Sequence, residues 1–333
     1  MSGAAPRLGE DALIARYFAP LSGPGADNLR DDAATLTPSP GHDLVVTTDT
    51  IVAGVHFLAD DPAGSVARKA LGVNFSDLAA KGAAPCGFVL SLGLPTDWTE
   101  DWLSVFAAGL CEAIAAFGCP LLGGDTVRAG GPAFIGITAF GEVPAGQMVR
   151  RMTAEVGDRI CVTGTIGDAA IGLHLARASM PAWAGDLDRA TVDALVDRYR
   201  HPRPRVALAP ALRAHARAAM DISDGLAGDL AKMLKGEGRG AEILVSDIPL
   251  SAAARAAIAR EPALLDTALT GGDDYEILCA VPEKDVDGLS AEAAAAGIAF
   301  SVIGTVTAGD ALPAFTMADG AIRTFPGGSF SHF

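Results

Sequence analysis

The feature that most constrains the fold of this chain is its alternation of β-branched apolar segments with longer, Ala-rich segments of helical spacing. Residues 44–48, 87–92 and 133–143 predict strands, because turn signals bound each of them. Residues 63–81 and 102–117 lie between them and carry apolar side chains at spacings of three and four, which is typical of amphipathic helices. The order strand, helix, strand, helix, strand predicts an α/β layer domain.

The alternation resumes after a turn-rich passage that contains Pro144, Gly146 and the basic residues Arg150 and Arg151. Because 333 residues exceed one small domain, we predict two α/β domains, residues 1–148 and 149–333. The patterns of the second half predict helices at 169–178, 190–198, 208–219, 226–235 and 251–259, and strands at 159–163, 241–245, 275–281 and 299–306.

Composition and charge exclude several classes of function. The net charge of −15 argues against a nucleic-acid partner, because phosphate backbones are bound through Lys and Arg. No apolar run is long enough for a membrane span and the first residues do not form a signal peptide, so a cytoplasmic protein is expected. The five cysteines are scattered, without a C-x-x-C pair, and predict reduced core thiols rather than a zinc site.

Aspartates recur in six separate segments, nearly all beside small residues. Asp31 and Asp32 precede the first strand, where a solvated turn is an alternative interpretation. Thr47, Thr48 and Asp49 are predicted to end that strand. Strand ends are where open α/β sheets bind ligands, and hydroxyl and carboxylate oxygens are donors that Mg²⁺ prefers. A turn at the strand end explains these three residues equally well.

Asp77 is the aspartate that helical periodicity singles out. It shares a helix face with Val66, Ala70 and Val73, which are expected to face the core. A buried carboxylate is costly unless a cation or hydrogen-bond donor meets it. Asn74 would add another oxygen nearby. The alternative is an aspartate that binds neighbouring backbone groups.

Three further segments place aspartates beside glycine or serine. Gly124 and Asp125 follow an apolar strand, where a phosphate and its metal, or a plain turn, would fit the pattern. Asp221, Ser223 and Asp224 precede a helix, so Ser223 or Asp224 is a candidate N-cap as well as a ligand. The last segment is 270–276, in which Asp273 and Asp274 precede a strand.

Taken together, the six segments favour a Mg²⁺-dependent transfer of the γ-phosphoryl group of ATP. Catalysis of phosphoryl transfer is mostly positioning and charge neutralisation, and several Mg²⁺ ions would relieve repulsion among the carboxylates. The pattern G-x-x-x-x-G-K-[ST] and the protein-kinase motifs are absent from the sequence. Arg151 and Lys69 are the cations considered for phosphate contacts.

Short segments spread almost from end to end of the chain form a recognisable set. They are 13–18 (LIARYF), 31–34 (DDAA), 48–57 (TDTIVAGVHF), 73–80 (VNFSDLAA), 123–126 (GGDT), 162–165 (VTGT), 221–226 (DISDGL), 271–276 (GGDDYE) and 332–333 (HF). In these segments the sequence resembles the thiamine-monophosphate kinases, a family of the aminoimidazole ribonucleotide synthetase superfamily.

The resemblance implies that ATP and thiamine monophosphate give ADP and thiamine diphosphate by direct in-line transfer, with no acid or base residue needed. It implies metal ligands at Asp32, Thr47, Thr48, Asp49, Asp77, Asp125, Asp221 and Asp224. It implies ATP contacts at Gly124, Asp125, Arg151 and Ser223, and contacts to thiamine monophosphate at His56 and Asp273. Phe330 is the aromatic residue nearest to the family's usual C-terminal position, although Trp and Tyr are missing there.

The resemblance also implies a fold and a partner. We expect the two-domain aminoimidazole ribonucleotide synthetase-like fold, with an N-terminal domain that binds ATP and Mg²⁺ and forms a homodimer. The C-terminal domain is expected to complete the nucleotide and substrate site. Two alternatives stay open: another ATP-dependent synthetase of the superfamily, and a non-catalytic protein that binds Mg²⁺ and a nucleotide.

Overall fold

A computed structural model describes residues 8–177, 179–236 and 238–327 of the chain. The chain divides into two compact units. Unit 1 contains residues up to 75 and residues 85–144, and unit 2 contains residues 76–84 and those from 145 onward. The predicted boundary lies at residue 148; the two functional assignments attached to it stay predictions.

Unit 1 is built around a four-stranded sheet. Its elements are α1 (Glu10–Leu13), β1 (His42–Val52), α2 (Ala63–Ala80, whose last turn belongs to unit 2), β2 (Ala84–Leu94), α3 (Glu100–Phe117), β3 (Leu121–Arg128) and β4 (Phe134–Pro144). The strand order is β1-β4-β2-β3, with β1 and β4 antiparallel and β2 and β3 parallel.

Local sequence accounts for the elements of unit 1. Every second residue of β4, from Ile135 to Val143, is buried, which is the period of a strand with one face on the core. Helix α3 begins where the Thr99 hydroxyl accepts a hydrogen bond from the Trp102 N–H at 3.1 Å. It ends at Gly118, whose φ of +64° favours glycine.

Unit 2 has a seven-stranded sheet with helices on both faces. Its order is β11-β10-β7-β9-β5-β8-β6, and β10 and β7 are parallel, whereas the other paired strands are antiparallel. The strands are β5 (Arg159–Thr163), β6 (Ala218–Asp221), β7 (Arg239–Leu244), β8 (Ile277–Val281), β9 (Phe300–Ala308), β10 (Ala314–Thr316) and β11 (Ile322–Arg323). The helices are α4 (Asp168–Ala176), α5 (Arg189–Arg200), α6 (Ala209–His215), α7 (Leu226–Leu234), α8 (Ala252–Arg260), α9 (Leu264–Thr270) and α10 (Val286–Ala295).

Successive residues of the central strand β5 pack into two different cores. Ile160 and Val162 lie in a cluster with the apolar side of α7, whereas Cys161 lies in a cluster with α6 and α10. Because side chains alternate across a strand, β5 is buried on both faces. A strand that is buried on both faces has a continuous apolar sequence, which is why the sequence predicts this strand at 159–163.

Two predictions of where a helix or a strand ends were wrong. The predicted helix at 208–219 ends at His215, and Ala218 and Ala219 begin strand β6, whose pairing with β8 overrides the helix preference of alanine. Thr47, Thr48 and Asp49 lie in the middle of β1 rather than at its end, because β1 pairs with β4 along its full length.

Candidate functional site

A cavity of about 420 Å³ in unit 1 brings together two of the predicted aspartate segments. Asp31 and Asp32, from the loop before β1, line it together with Gly124 and Asp125 of β3. Its other walls are largely apolar, and Ile14, Phe18, Leu36, Leu44, Leu122 and Phe140 contribute to them. The cavity therefore joins an acidic rim to an apolar interior.

Gly124 lies within strand β3, so the turn proposed for this segment is wrong. It faces Leu90 of β2, and a Cβ at this position would lie 2.0 Å from the Leu90 carbonyl oxygen. Glycine is therefore required for the two strands to approach each other. Asp125 follows as an exposed residue of the same strand.

The three predicted ligands of β1 do not share one face of the sheet. Thr47 and Asp49 lie on the same face of β1 as Val45 and Ile51, which are buried. Thr48 lies on the opposite, exposed face. The Thr48 hydroxyl donates a hydrogen bond to the Ile137 carbonyl oxygen at 3.1 Å. The Thr48 hydroxyl is therefore not on the face that carries the Asp49 side chain.

Asn74 fixes the backbone of β1 at Asp49. The Asp49 N–H donates to Asn74 Oδ1 at 3.0 Å, and Asn74 Nδ2 donates to the Ala70 carbonyl oxygen at 3.0 Å. Asn74 is fully buried. Its amide thus positions the strand that carries Asp49, rather than offering a further oxygen to a ligand.

His56 lies in a tight turn directly after β1. Its Nδ1 accepts a hydrogen bond from the Val52 N–H at 3.1 Å, which requires the neutral tautomer that carries its proton on Nε2. Gly54, with a φ of +80°, allows the turn, and its N–H donates to the Phe57 carbonyl oxygen at 2.7 Å. The imidazole is therefore held in one orientation.

Asp77, Lys81, Arg151 and Asp221 form a charged cluster in unit 2. Lys81 Nζ donates to the Ala219 carbonyl oxygen at 2.7 Å, next to the strand end that carries Asp221. Burial lowers the pKa of Lys81, although the nearby Asp221 and Asp77 carboxylates act in the opposite direction and Arg151 acts with burial. Lys81 was not among the residues predicted from the sequence. Its position one helical turn after Asp77 is the signal that would have found it.

The loop from Asp221 to Gly225 is held by a buried aspartate that the sequence analysis also missed. Gly225, not Ser223 or Asp224, is the N-cap of α7, so the N-cap prediction was wrong. Asp229 is fully buried and accepts a hydrogen bond from the Asp224 N–H at 2.9 Å. Lys232 Nζ bridges the Asp224 and Asp229 carboxylates. Burial raises the pKa of Asp229, while its bond from Lys232 opposes that rise.

The segment 271–276 lies directly against this loop. The Asp273 N–H donates to the Ser223 carbonyl oxygen at 2.9 Å, and the Tyr275 N–H donates to the Ile222 carbonyl oxygen at 2.8 Å. A Cβ on Gly272 would lie 2.2 Å from the Ser223 carbonyl oxygen, so only glycine permits this approach. The structure therefore brings the predicted residues Ser223 and Asp273 together.

Asp273 and Asp274 are adjacent but have different environments. Asp273 is partly exposed, with a φ of +74°. Asp274 is fully buried, and its carboxylate accepts hydrogen bonds from the Gly167 N–H at 2.7 Å and the Ala169 N–H at 3.4 Å at the start of α4. Burial raises the pKa of Asp274 well above its usual value. Asp274 thus anchors the loop from which Asp273 projects.

The predicted residues form separate groups rather than a closed metal cage. Among residues 8–177, 179–236 and 238–327, no three His, Cys, Asp or Glu side chains surround a common point at metal-binding distance. The oxygens of the predicted ligands are nevertheless the hard donors that suit Mg²⁺, which keeps waters and phosphate oxygens among its ligands. Lys69 is buried, and Phe330 lies outside the described residues.

The two α/β units carry acidic loops and close backbone approaches that require glycine. Family models match most of the chain. The family "AIR synthase related protein, N-terminal domain" matches residues 30–143, and its C-terminal counterpart matches residues 155–314. Among the described residues, no helix is both long and apolar enough to cross a membrane.

Individual relatives identify the branch of the family. A thiamine-monophosphate kinase of Caulobacter vibrioides is 42% identical over 307 residues, covering 91% of this chain and 85% of its own length. That of Escherichia coli K12 is 38% identical over 98% of each chain. The chain therefore belongs to the AIR synthase related family and, within it, to the thiamine-monophosphate kinases.

Solved structures support the same placement. A thiamine-monophosphate kinase of Stenotrophomonas maltophilia has a TM-score of 0.79 and 38% identity, covering 89% of this chain and 91% of that one. AaThiL, solved in complex with AMPPCP and TMP, has a TM-score of 0.76 and 27% identity, covering 99% and 100%. These comparisons confirm the resemblance and the predicted fold class.

Proposed function

We propose that this chain transfers the γ-phosphoryl group of ATP to thiamine monophosphate, with Mg²⁺ ions held by its aspartates. The reaction follows from membership of the thiamine-monophosphate kinase family. A relative of the same fold was solved with an ATP analogue and TMP. One observation in this chain supports the proposal best. Backbone hydrogen bonds hold the loop Asp221–Gly225, a candidate phosphate site, against the segment 271–276, which carries Asp273.

The acceptor's own phosphate oxygen is the nucleophile. It attacks the γ-phosphorus, the bond to the β–γ bridging oxygen breaks, and ADP leaves with that electron pair. A phosphate oxygen is already anionic, so no side chain is needed to remove a proton. The chain contributes positioning and charge instead: Arg151 and Lys81 offset negative charge near Asp77 and Asp221.

The candidate metal ligands are Asp32, Asp49, Asp77, Asp125, Asp221 and Asp224, with Thr47 and Thr48. Bound Mg²⁺ would neutralise the phosphate oxygens between which the phosphoryl group moves. Lys232 already bridges Asp224 and Asp229 in this structure, so Asp224 would exchange part of that contact for a metal ion.

The remaining groups would recognise the two substrates. The apolar cavity of unit 1, with Asp125 at its rim, has the character of a site for the adenine base, next to Gly124. The Asp273 carboxylate is suited to the cationic thiazolium ring of thiamine. His56, with its proton on Nε2, would donate a hydrogen bond to an oxygen of thiamine monophosphate. Phe330 is the proposed aromatic contact.

We also propose that two copies of the chain associate through the exposed face of β1. Leu44 and Val46 lie on that face, and Val46 is 58% exposed, which is unusual for an apolar residue in the middle of a strand. Val46→Lys should then reduce the mass in light scattering to that of one chain. A wild-type chain that is already monomeric would contradict this interface. The cytoplasmic location stays a prediction from the sequence.

Product formation with a panel of acceptors tests the reaction. Purified chain, ATP and Mg²⁺ are incubated separately with thiamine monophosphate, thiamine, aminoimidazole precursors and no acceptor, and ADP release is measured. We expect ADP only with thiamine monophosphate. ADP release with a different acceptor would indicate another synthetase of the superfamily. ATP binding without turnover on any acceptor would indicate a non-catalytic nucleotide-binding protein.

A further inference from the structure

A second cavity, of about 250 Å³, lies within unit 2 and is lined by none of the residues proposed above for metal, ATP or thiamine. Arg198 of α5 faces it, as do Arg203 and Arg205 from the segment that follows α5. Asp168 and Glu276 are the acidic residues of its lining. The charged residues Arg198, Arg203, Arg205, Asp168 and Glu276 define this arginine cavity, and Asp197, outside the lining, pairs with Arg203.

The negative charge of Glu276 is already compensated. Arg198 Nη2 donates to Glu276 Oε1 at 2.8 Å, and Arg205 Nε donates to Oε2 at 2.7 Å. Glu276 is fully buried, and Gly164, with a φ of +60°, leaves the space for its carboxylate. Both oxygens of Glu276 therefore have cationic partners, and a further ligand would meet the arginines rather than an uncompensated carboxylate.

The Asp168 carboxylate is also engaged. Thr165 Oγ1 donates to its Oδ2 at 2.6 Å, and the Ser251 hydroxyl donates to its Oδ1. These two hydroxyls stabilise the negative charge at the start of α4, where the N-terminal end of the helix also favours it. Asp168 is buried, whereas Arg203 is exposed and pairs with Asp197 at 2.7 Å.

Arg198 is the side chain that points to a ligand. It is 7% exposed, and its Nε and Nη1 have no hydrogen-bond partner among the residues that the structure describes. Leaving a buried donor without an acceptor costs free energy, and the cost is larger for a charged group. Guanidinium groups have donors and no acceptor, so the group that satisfies Arg198 must itself accept hydrogen bonds.

We propose that the arginine cavity binds a phosphate group, either as free inorganic phosphate or as the end of a small phosphomonoester. Phosphate offers several acceptor oxygens in a geometry that matches the planar fork of arginine, and these oxygens would satisfy the unpartnered Nε and Nη1 donors of Arg198. The cavity volume admits phosphate and a few attached atoms. Because Arg198 Nη2 also donates to the Asp274 carbonyl oxygen, the bound group would stiffen the loop that carries Asp273.

Thermal unfolding of the full-length chain without Mg²⁺ or nucleotide tests the site. Inorganic phosphate and glycerol phosphate are titrated separately while NaCl keeps the ionic strength constant. We expect a saturable rise of the unfolding midpoint with at least one of them. Arg203→Glu should weaken the apparent affinity by about tenfold or more, because it reverses a charge at the cavity. If Arg203→Glu weakens the affinity for only one of the two ligands, that ligand is the source of phosphate that the cavity binds.

Two matched variants separate this site from other phosphate contacts. Arg189 is an exposed arginine of α5 that pairs with Asp193 and lies outside the cavity, so Arg189→Glu should leave the apparent affinity unchanged. Arg151→Gln should also retain it, because Arg151 belongs to the proposed ATP site. A rise that does not saturate, or that is equal in the wild type and Arg203→Glu, would overturn the proposal, since salts that are excluded from protein surfaces stabilise all variants alike.

A crystal grown with phosphate gives a second readout that does not depend on any variant. Density within hydrogen-bond distance of Arg198 Nε or Nη1 would support the arginine cavity as a site. Saturating phosphate that occupies only the surroundings of Arg151 and Asp221 would contradict it. The outcome is independent of the kinase activity, so failure of one proposal leaves the other to be judged on its own measurement.

Discussion

Several carboxylates of the two units lie in opposite environments. In unit 1, Asp31, Asp32 and Asp125 are exposed and form no ion pair with any residue in the described part of the chain. In unit 2, Asp229 and Glu276 are fully buried and each is met by a lysine or arginine. Acidic residues of similar appearance in sequence can therefore be exposed beside a cavity or be buried against a cation, and only the tertiary structure separates the two environments.

The largest expected effect is the loss of the buried ion pairs of Glu276. Glu276→Gln keeps the size of the side chain but leaves Arg198 and Arg205 without their carboxylate, so we expect a loss of about 3–5 kcal/mol in the free energy of unfolding. Urea unfolding measures it. The control is Glu283→Gln, since Glu283 is exposed and pairs with Arg159, and it should cost less than about 1 kcal/mol. Equal effects would contradict the account of Glu276 as a buried ion-pair partner.

The second prediction concerns an exposed carboxylate of unit 1. Asp125→Asn should lower kcat by about 100-fold or more, because charge neutralisation dominates phosphoryl transfer. The metal-free thermal midpoint should hold or rise, since a negative charge near Asp31 and Asp32 is removed. Asp60→Asn, an exposed position outside the cavity, is the control and should change neither. Normal kcat would remove Asp125 from the metal site, and a sharp loss of stability would give it a structural role.

The third prediction concerns the cation that holds the Asp221–Gly225 loop. Lys232→Met should destabilise the chain by about 1–3 kcal/mol, because it leaves the buried Asp229 carboxylate with one hydrogen bond fewer. Lys235→Met, at a neighbouring exposed position, is the matched control. Chemical unfolding compares the two. If both variants have the stability of the wild type, Asp229 does not need Lys232 and the account of this loop is wrong.

The smallest expected effect is a pH dependence at Asp274. Its pKa is raised in the folded state, so the folded chain binds more protons than the unfolded chain at intermediate pH. Its contribution to stability is present below the usual carboxyl pKa and is lost as pH rises toward the folded value. Asp274→Asn removes this titration. The variant's unfolding free energy, minus that of the wild type, should therefore increase from about pH 4 to about pH 7. A constant or falling difference would contradict the raised pKa.

Much of the fold was predictable where a pattern reflects only local burial. Strand β5 was predicted at 159–163 as observed, since burial on both faces selects a continuous apolar run. Strand β6 was missed because alanine favours helices, and only pairing with β8 makes Ala218 and Ala219 extended. The middle position of Thr47–Asp49 in β1 was missed because exposed polar residues there resemble the end of a strand.

The types of residue in the candidate site could be predicted from the sequence, but the residues that each of them contacts could not. Helical periodicity identified Asp77, but Lys81, one turn further along the same helix, was not predicted. Long-range contacts such as that of Ser223 with Asp273 cannot be predicted from local sequence. The roles of Asp273 and Asp274 differ only through tertiary burial, which an adjacent pair of identical residues does not reveal. For the same reason the Arg198 and Arg205 partners of Glu276 were not anticipated.

Direct transfer to thiamine monophosphate is the central claim, and a single-turnover experiment tests it most directly. Enzyme in excess of ATP, with Mg²⁺ and thiamine monophosphate, is quenched at successive times, and ADP and thiamine diphosphate are quantified together. We expect the two products to appear at the same rate and in equal amounts, with no phosphorylated protein. ADP that appears before thiamine diphosphate, or without it, would contradict the account.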